Sequence, residues 1–169
     1  MADISPVLAD LYAGRRNEAE ARAAEAGAVD VFEAAALGRT ERVEELLRAD
    51  PGLASAWTPD GFSALHLAAF FGGAGAARVL LEHGAEVDAV ARNSMHVTPL
   101  HSAAAAREVE IARLLIEHGA DVNACQEGGF TPLHAAAQNG DDALYRLLVD
   151  HGADEAAATD DGRSVADFR

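Results

Sequence analysis

Thr131-Pro132-Leu133-His134-Ala135-Ala136-Ala137-Gln138-Asn139-Gly140 decides the architecture. A hydroxyl residue followed by Pro marks a helix start. The Thr oxygen accepts from the unpaired N–H groups of the first turn, and Pro lacks the N–H that would go unpaired there. Gly at the far end stops the helix by taking a positive φ. The same grammar recurs upstream as Thr98-Pro99-Leu100-His101 and, more weakly, as Ser63-Ala64-Leu65-His66. The Leu-His pairs are spaced by 35 and then 33 residues, and His83-Gly84, His118-Gly119 and His151-Gly152 repeat the same two spacings. From each first His to its Gly the interval is always 18, so the two extra residues of the longer period fall between Asp88 and Thr98. A loop insertion of that size is what a stack of units tolerates.

Each unit reads as two short helices. Ala68-Ala69, Ala103-Ala104 and Ala136-Ala137 follow the first histidines and let neighbouring helices approach closely. Gly72 and Gly140 end the first helices, but Arg107 stands at the matching place in the third unit. A positive φ there costs an L-residue on the order of 1 kcal/mol. The second helices carry Leu80-Leu81, Leu114-Leu115 and Leu147-Leu148 and end at the Gly of each His-Gly.

Thr-Pro-Leu-His-x-Ala-Ala, a Gly break, a Leu pair and His-Gly-Ala-Asp-Val-Asn, at a period of 33, resemble the ankyrin repeat. Residues 131–139 and 118–123 carry the resemblance nearly residue for residue. It implies an all-α solenoid of helix-turn-helix units joined by β-hairpin-like turns. The expected division is an N-terminal helical cap (1–29), a degenerate first repeat (30–59), repeats at 60–92, 93–127 and 128–160, and a partial C-terminal cap (161–169). In the degenerate repeat Phe32 is expected where His belongs, with Ala34-Ala35, Gly38 and Leu46-Leu47 in register. The cap residues 5–29 read as a helix pair broken at Gly14 and closed at Gly27. Five residues after Ser164 hold no helix unaided. Either Val165 and Phe168 dock on the preceding unit, or the open end invites self-association.

Composition excludes several classes. Half of the 169 residues are hydrophobic, but only 5% are aromatic and 40 are Ala, which suits packed helices better than a sheet core. All 13 basic residues are Arg, and 28 acids leave a net charge of -15. That argues against nucleic acid, which needs a basic footprint, and against an anionic membrane surface. No stretch approaches the roughly 18 apolar residues of a membrane span. The acidic start of the chain is unlike a signal peptide. The expectation is a cytoplasmic protein, and Arg and Ala without Lys suit a GC-rich bacterial genome.

No catalytic constellation emerges. Six of the seven histidines form two ladders with one member per unit. Packed helices lie roughly 8–10 Å apart. Ligands sit about 2 Å from a zinc ion, so ladder neighbours cannot share one. They are expected to bond backbone and tie turns together. His96, outside the ladders, is expected in solvent. Cys125 has neither a marked base nor an oxyanion donor in the sequence. No Ser sits in a nucleophile elbow, no glycine run resembles a P-loop, and Asp160-Asp161-Gly162 lacks the calcium-loop spacing. No enzyme activity, metal or cofactor is therefore expected. Arg78-Glu82, Arg113-Glu117 and Arg146-Asp150 stand at i, i+4 on the second helices, with Glu44-Arg48 reversed, as a solvated outer face.

The aromatics point to a binding surface. With Leu65 facing inward and about 100° per residue, Phe70 and Phe71 fall on the opposite side of their helix. In ankyrin repeats those two places and the hairpin tips line the concave surface. The resemblance thus implies a partner-binding face of Asp60, Phe62, Phe70, Phe71, Met95, His96, Val97, Glu127, Phe130, Gln138, Asn139 and Arg163. Phe71 and Trp57 also fit a second placement, packed against the degenerate repeat. The expected function is a protein–protein interaction scaffold whose partner carries a basic patch matching the acidic chain. The alternatives are a self-associating structural protein, joined through the C-terminal end, and a regulatory subunit of an enzyme.

Overall fold

The computed structural model describes residues 4–169. Among the described residues ten α-helices form consecutive antiparallel pairs. They are α1 (Pro6–Tyr12) and α2 (Arg16–Ala26), α3 (Val31–Leu37) and α4 (Thr40–Ala49), α5 (Ala64–Phe71) and α6 (Ala74–Glu82). After them come α7 (Pro99–Ala106) and α8 (Val109–Glu117), then α9 (Pro132–Gln138) and α10 (Asp142–Asp150). The inner helices α3, α5, α7 and α9 stack in one layer, and α4, α6, α8 and α10 form a second. Among the described residues the only β pairing is two isolated bridges, Trp57 with Ser63 and Ala158 with Ser164. The fold is an all-α repeat solenoid.

The core is leucine framed by alanine. Leu65, Leu100 and Leu133 of the inner layer and Leu47, Leu80, Leu115 and Leu148 of the outer layer are fully buried. Each contributes about 1.5–3 kcal/mol. Ala34, Ala35, Ala68, Ala69, Ala103, Ala104 and Ala136 are equally buried between adjacent inner helices.

The first-ladder histidines are capping residues. His101 sits at the third position of α7, and its Nδ1 accepts from the Thr98 backbone N–H at 3.2 Å and from the Thr98 hydroxyl at 2.9 Å. An imidazole here replaces the carboxylate of the usual capping box. Ser63 with His66 and Thr131 with His134 repeat the arrangement. With Nδ1 accepting, the proton lies on Nε2. His66 donates it to the Val97 carbonyl at 3.0 Å and His101 to the Phe130 carbonyl at 3.1 Å, in each case across to the next hairpin. His134 is fully buried, but its Nε2 finds no partner. The second ladder ends the outer helices. His83, His118 and His151 donate Nδ1–H to the carbonyls of Val79, Leu114 and Leu147 at 2.9, 2.8 and 2.7 Å.

Two sequence expectations need correction. Phe32 does not take the place of His. Helix α3 is one residue shorter than α5, and counted from its N-cap Asp30 the capping position belongs to Glu33. Glu33 Oε2 accepts from Asp30 N–H at 3.2 Å while Asp30 accepts from Glu33 N–H at 2.8 Å. The outer-face charge pairs also differ. Glu44 and Arg48 form an ion pair, but Arg78-Glu82, Arg113-Glu117 and Arg146-Asp150 do not appear among the ion pairs of the described residues. With Arg N-terminal to the acid, the i, i+4 geometry is the weaker orientation.

Arg107 holds φ at 64° where Gly72 holds 85°. Its guanidinium reaches only 3.9 Å from Asp141, so the ion pair offsets little of that conformational cost.

The hairpins between units are laced together. Thr58, Gln126 and Thr159 each donate N–H to the carbonyl four residues on, at Phe62, Phe130 and Arg163, whereas Ala91 reaches six residues on to Val97. The two extra residues therefore lie within this hairpin tip. At the place held elsewhere by Gly61, Gly129 and Gly162, the long tip has His96 with φ 51°. Arg92, Glu127 and Asp160 donate N–H to the carbonyls of Gly61, Met95 and Gly128 in the preceding hairpins.

The two ends of the stack are covered. In α1, Val7, Leu8 and Leu11 are buried, and so is Asp10, held by Arg15 at 2.6 Å and Arg22 at 2.8 Å. Those hydrogen bonds, Arg15 first, keep its carboxyl below the usual range. Arg16 donates to the carbonyls of Leu37 at 3.1 Å and Phe71 at 3.4 Å, at the ends of α3 and α5. At the other end Val165 is fully buried, and the Phe168 ring lies 5.4 Å from His134 and 5.5 Å from Phe130.

Candidate functional site

The inner helices and hairpins enclose a groove. Its larger hollow, about 530 Å³, is walled by Tyr12 from α1, Asp60 and Phe62 from one hairpin, Phe70 from α5, and Met95 and Val97 from the long hairpin. Leu67, His66 and His101 form part of its lining, with Ser102, Ala105 and Gln126 toward the next repeat. A smaller hollow of about 190 Å³ continues along α9 past Phe130, Gln138 and Asn139. The two share His101, Ala105 and Gln126 and so form one groove.

Local structure sets each wall. The cap of α5 at Ser63 fixes its phase, which turns Leu65 inward and leaves Phe70 45% exposed. The long hairpin is pinned by Asn93, which donates its side-chain amide to the Asp60 carbonyl at 3.0 Å and accepts from Met95 N–H at 3.1 Å. Met95 is thereby held over the hollow at 47% exposure. Burial pushes the His66 imidazolium down to about 4 and lowers His101 as well, so both are neutral at pH 7. Asp60 is the one lining residue with a formal charge, and its Oδ1 is buried without a hydrogen-bond partner. Burial first, then the charge of Asp60 and a hydrogen bond to its carboxylate, raise the Tyr12 phenol well above its ordinary value.

A family model of ankyrin repeats in three copies matches residues 31–125, and a second, of ankyrin repeats in many copies, matches residues 115–168. The chain belongs to the ankyrin repeat family. Comparison with curated proteins gives no match. Ankyrin repeats generally mediate protein–protein interaction and are typically non-catalytic modules.

In this ankyrin repeat chain the twelve residues singled out from sequence divide. Asp60, Phe62, Phe70, Met95 and Val97 line the larger hollow, and Phe130, Gln138 and Asn139 the smaller. Asn139 also donates to the carbonyls of Ala104 at 3.2 Å and Ala105 at 3.4 Å, bridging α9 to α7. The other four lie outside. Phe71 is half-buried, 5.8 Å from the Tyr12 ring and edge-on to Phe70 at 5.1 Å. His96 and Glu127 face each other at 3.4 Å on the hairpin rim. Arg163 lies over the Phe168 ring at 4.6 Å and pairs with Asp161 at 2.9 Å. Trp57 is half-buried under the Arg92 guanidinium at 4.3 Å.

Sequence reasoning missed several lining residues, among them Leu67, Ser102, Gln126 and, from outside the repeats, Tyr12. Tyr12 belongs to no repeat, so no register placed it. The signal lay in Val7, Leu8 and Leu11, whose burial on one face of α1 leaves Tyr12 at the edge of that face.

Among the described residues no group of three His, Cys, Asp or Glu is arranged to hold a metal ion. Cys125 is exposed, with its thiol 3.6 Å from the Asn123 carbonyl. No described helix is long and apolar enough to cross a membrane.

Proposed function

We propose that the chain is a non-catalytic scaffold that binds a partner protein in the concave groove. The observation that carries this is the continuous hollow from Tyr12 to Asn139, with Phe70 and Met95 exposed on its wall. Large apolar side chains that a core does not need are the usual anchors of an interface. Phe62, Phe70, Met95 and Val97 form the apolar end of the proposed site around the single carboxylate of Asp60, and Phe130, Gln138 and Asn139 extend it along α9. His96 and Glu127 stand at its rim. Phe71 supports Phe70 from behind, and Arg163 sits at the far end.

The groove is preorganised. Its hairpins are fixed by bonds from His66, His101 and Asn93, so little motion is lost on docking. The net charge of -15 favours a partner with a basic patch and speeds its approach. A reducing, cytoplasmic setting suits the free thiol of Cys125.

The test is a pull-down from lysate of the source organism, comparing wild type with the Phe62→Ser, Phe70→Ser double variant. A protein held by the wild type and lost by the folded variant is the expected result. A retained set that ignores both substitutions overturns the concave-face assignment.

A further inference from the structure

The larger hollow is apolar at its walls and carries one charge. Phe62, Phe70, Leu67, Met95 and Val97 supply apolar surface, while His66 and His101 keep their Nε2 protons on the carbonyls of Val97 and Phe130. The carboxylate of Asp60 thus has no cation from its own lining. Its backbone is held by the Asn93 amide, yet Oδ1 is shielded from solvent and accepts no hydrogen bond. Its side-chain neighbour in the hollow is the Tyr12 phenol, a neutral donor that leaves the negative charge unmatched. Nearby arginines are occupied, with Arg92 over Trp57 and Arg16 on the ends of α3 and α5.

We propose that this hollow is a subsite for one cationic side chain of the partner, an arginine or lysine, with its head group at the open side of the Asp60 carboxylate and its alkyl stem against Phe62, Phe70 and Met95. The inference rests on the partner-binding function above and names the residue class that the groove recognises. The chemistry fits on three counts. A guanidinium or ammonium supplies the opposite charge that the lining of the hollow lacks. The stem of such a side chain is itself apolar and packs on apolar walls. The aromatic rings of Tyr12, Phe62 and Phe70 add attraction for a cation held over their faces. A volume of about 530 Å³ is ample for such a side chain and leaves room for part of its neighbour.

The experiment needs no identified partner. The chain holds two methionines, Met1 and Met95, so methyl-labelled methionine reports the hollow through a single assigned signal. Butylguanidinium and butylammonium are titrated against butylurea, a neutral isostere of the first. The expected result is a saturable shift of the Met95 methyl, with butylguanidinium bound about tenfold more tightly than butylurea. Asp60→Asn keeps the shape, and abolishes that preference while leaving butylurea affinity unchanged. Equal affinity for butylguanidinium and butylurea in the wild type, which requires no variant, overturns the subsite. So does a preference that survives Asp60→Asn, or no shift with any of the three compounds. None of these depends on the pull-down. An apolar but charge-blind hollow leaves partner docking intact, whereas a pull-down insensitive to Phe62 and Phe70 removes the docking face even if the small cation binds.

Discussion

His66 Nε2 lies 3.0 Å from the carbonyl oxygen of Val97, 31 residues along the chain, and that single bond joins the cap of one helix to the hairpin of the next repeat. Protonation of Nδ1 would break its capping bonds to Ser63, and burial holds the imidazole down to about 4. The unfolded His titrates near 6.5, so the unfolded state binds the extra proton first as pH falls. Stability is therefore full above about pH 6.5 and is lost down to about pH 4, by on the order of 3 kcal/mol from this residue. Urea midpoints measured from pH 7 to pH 4 should fall, and His66→Gln should flatten part of that slope. An unchanged slope in the variant removes His66 as its source.

Arg107→Gly should stabilise the chain. The φ of 64° disfavours an L side chain by about 0.5–1 kcal/mol, and the distant Asp141 offsets little. Thermal unfolding should rise by about 2–4 °C per kcal/mol in a chain of this size. A lower midpoint would show that the guanidinium matters more than the backbone.

The repeat architecture was legible because each signal acts locally. Thr98-Pro99 starts a helix and Gly72 stops one, whatever lies beyond them. Helical phase then turned Phe70 outward from Leu65. The degenerate repeat misled because register counted back from Gly38 ignores the residue that α3 lacks, whereas counting forward from Asp30 finds Glu33. The groove was less legible, since its walls depend on how separate elements meet. Phe71 was ambiguous because its neighbour, Tyr12, comes from a helix outside the repeats. His96 and Arg163 stood at hairpin tips, but Glu127 and Phe168 draw them aside. Spacing alone does not reveal such pairings.

Phe70 and Phe71 should respond differently to truncation. Phe70→Ala removes a side chain that is 45% exposed, and stability should fall by about 1 kcal/mol or less. Phe71→Ala detaches Tyr12 as well and should cost more, though less than the 2–5 kcal/mol or so expected of fully buried Leu100→Ala. Denaturant titration of the three variants gives the order, and a larger loss for Phe70→Ala would make it a core residue.

Asn93→Ala should loosen the long hairpin without unfolding the stack. Two bonds disappear, to the Asp60 carbonyl at 3.0 Å and from Met95 N–H at 3.1 Å, worth about 1 kcal/mol each. Relaxation of the Met95 methyl should show increased motion. A methyl as ordered as in wild type would mean that the Arg92 to Gly61 backbone bond suffices.

Val165→Asp should release the last turn, because Val165 is fully buried against the preceding repeat. Phe130 and Phe168 would lose their contact, and sedimentation should reveal concentration-dependent mass from the uncovered apolar end. A strictly monomeric variant would sink self-association through that surface.

The histidine links also set the order in which the chain acquires structure. Each spans only about thirty residues, so no repeat waits for a distant part of the chain. Folding can begin wherever two neighbouring repeats first meet and advance outward from there. The front crosses the His66–Val97 and His101–Phe130 seams with a bond gained at each. At His134 no histidine bond is added and the Asp160 to Gly128 backbone bond joins the final hairpin instead, which should make that hairpin the first to open.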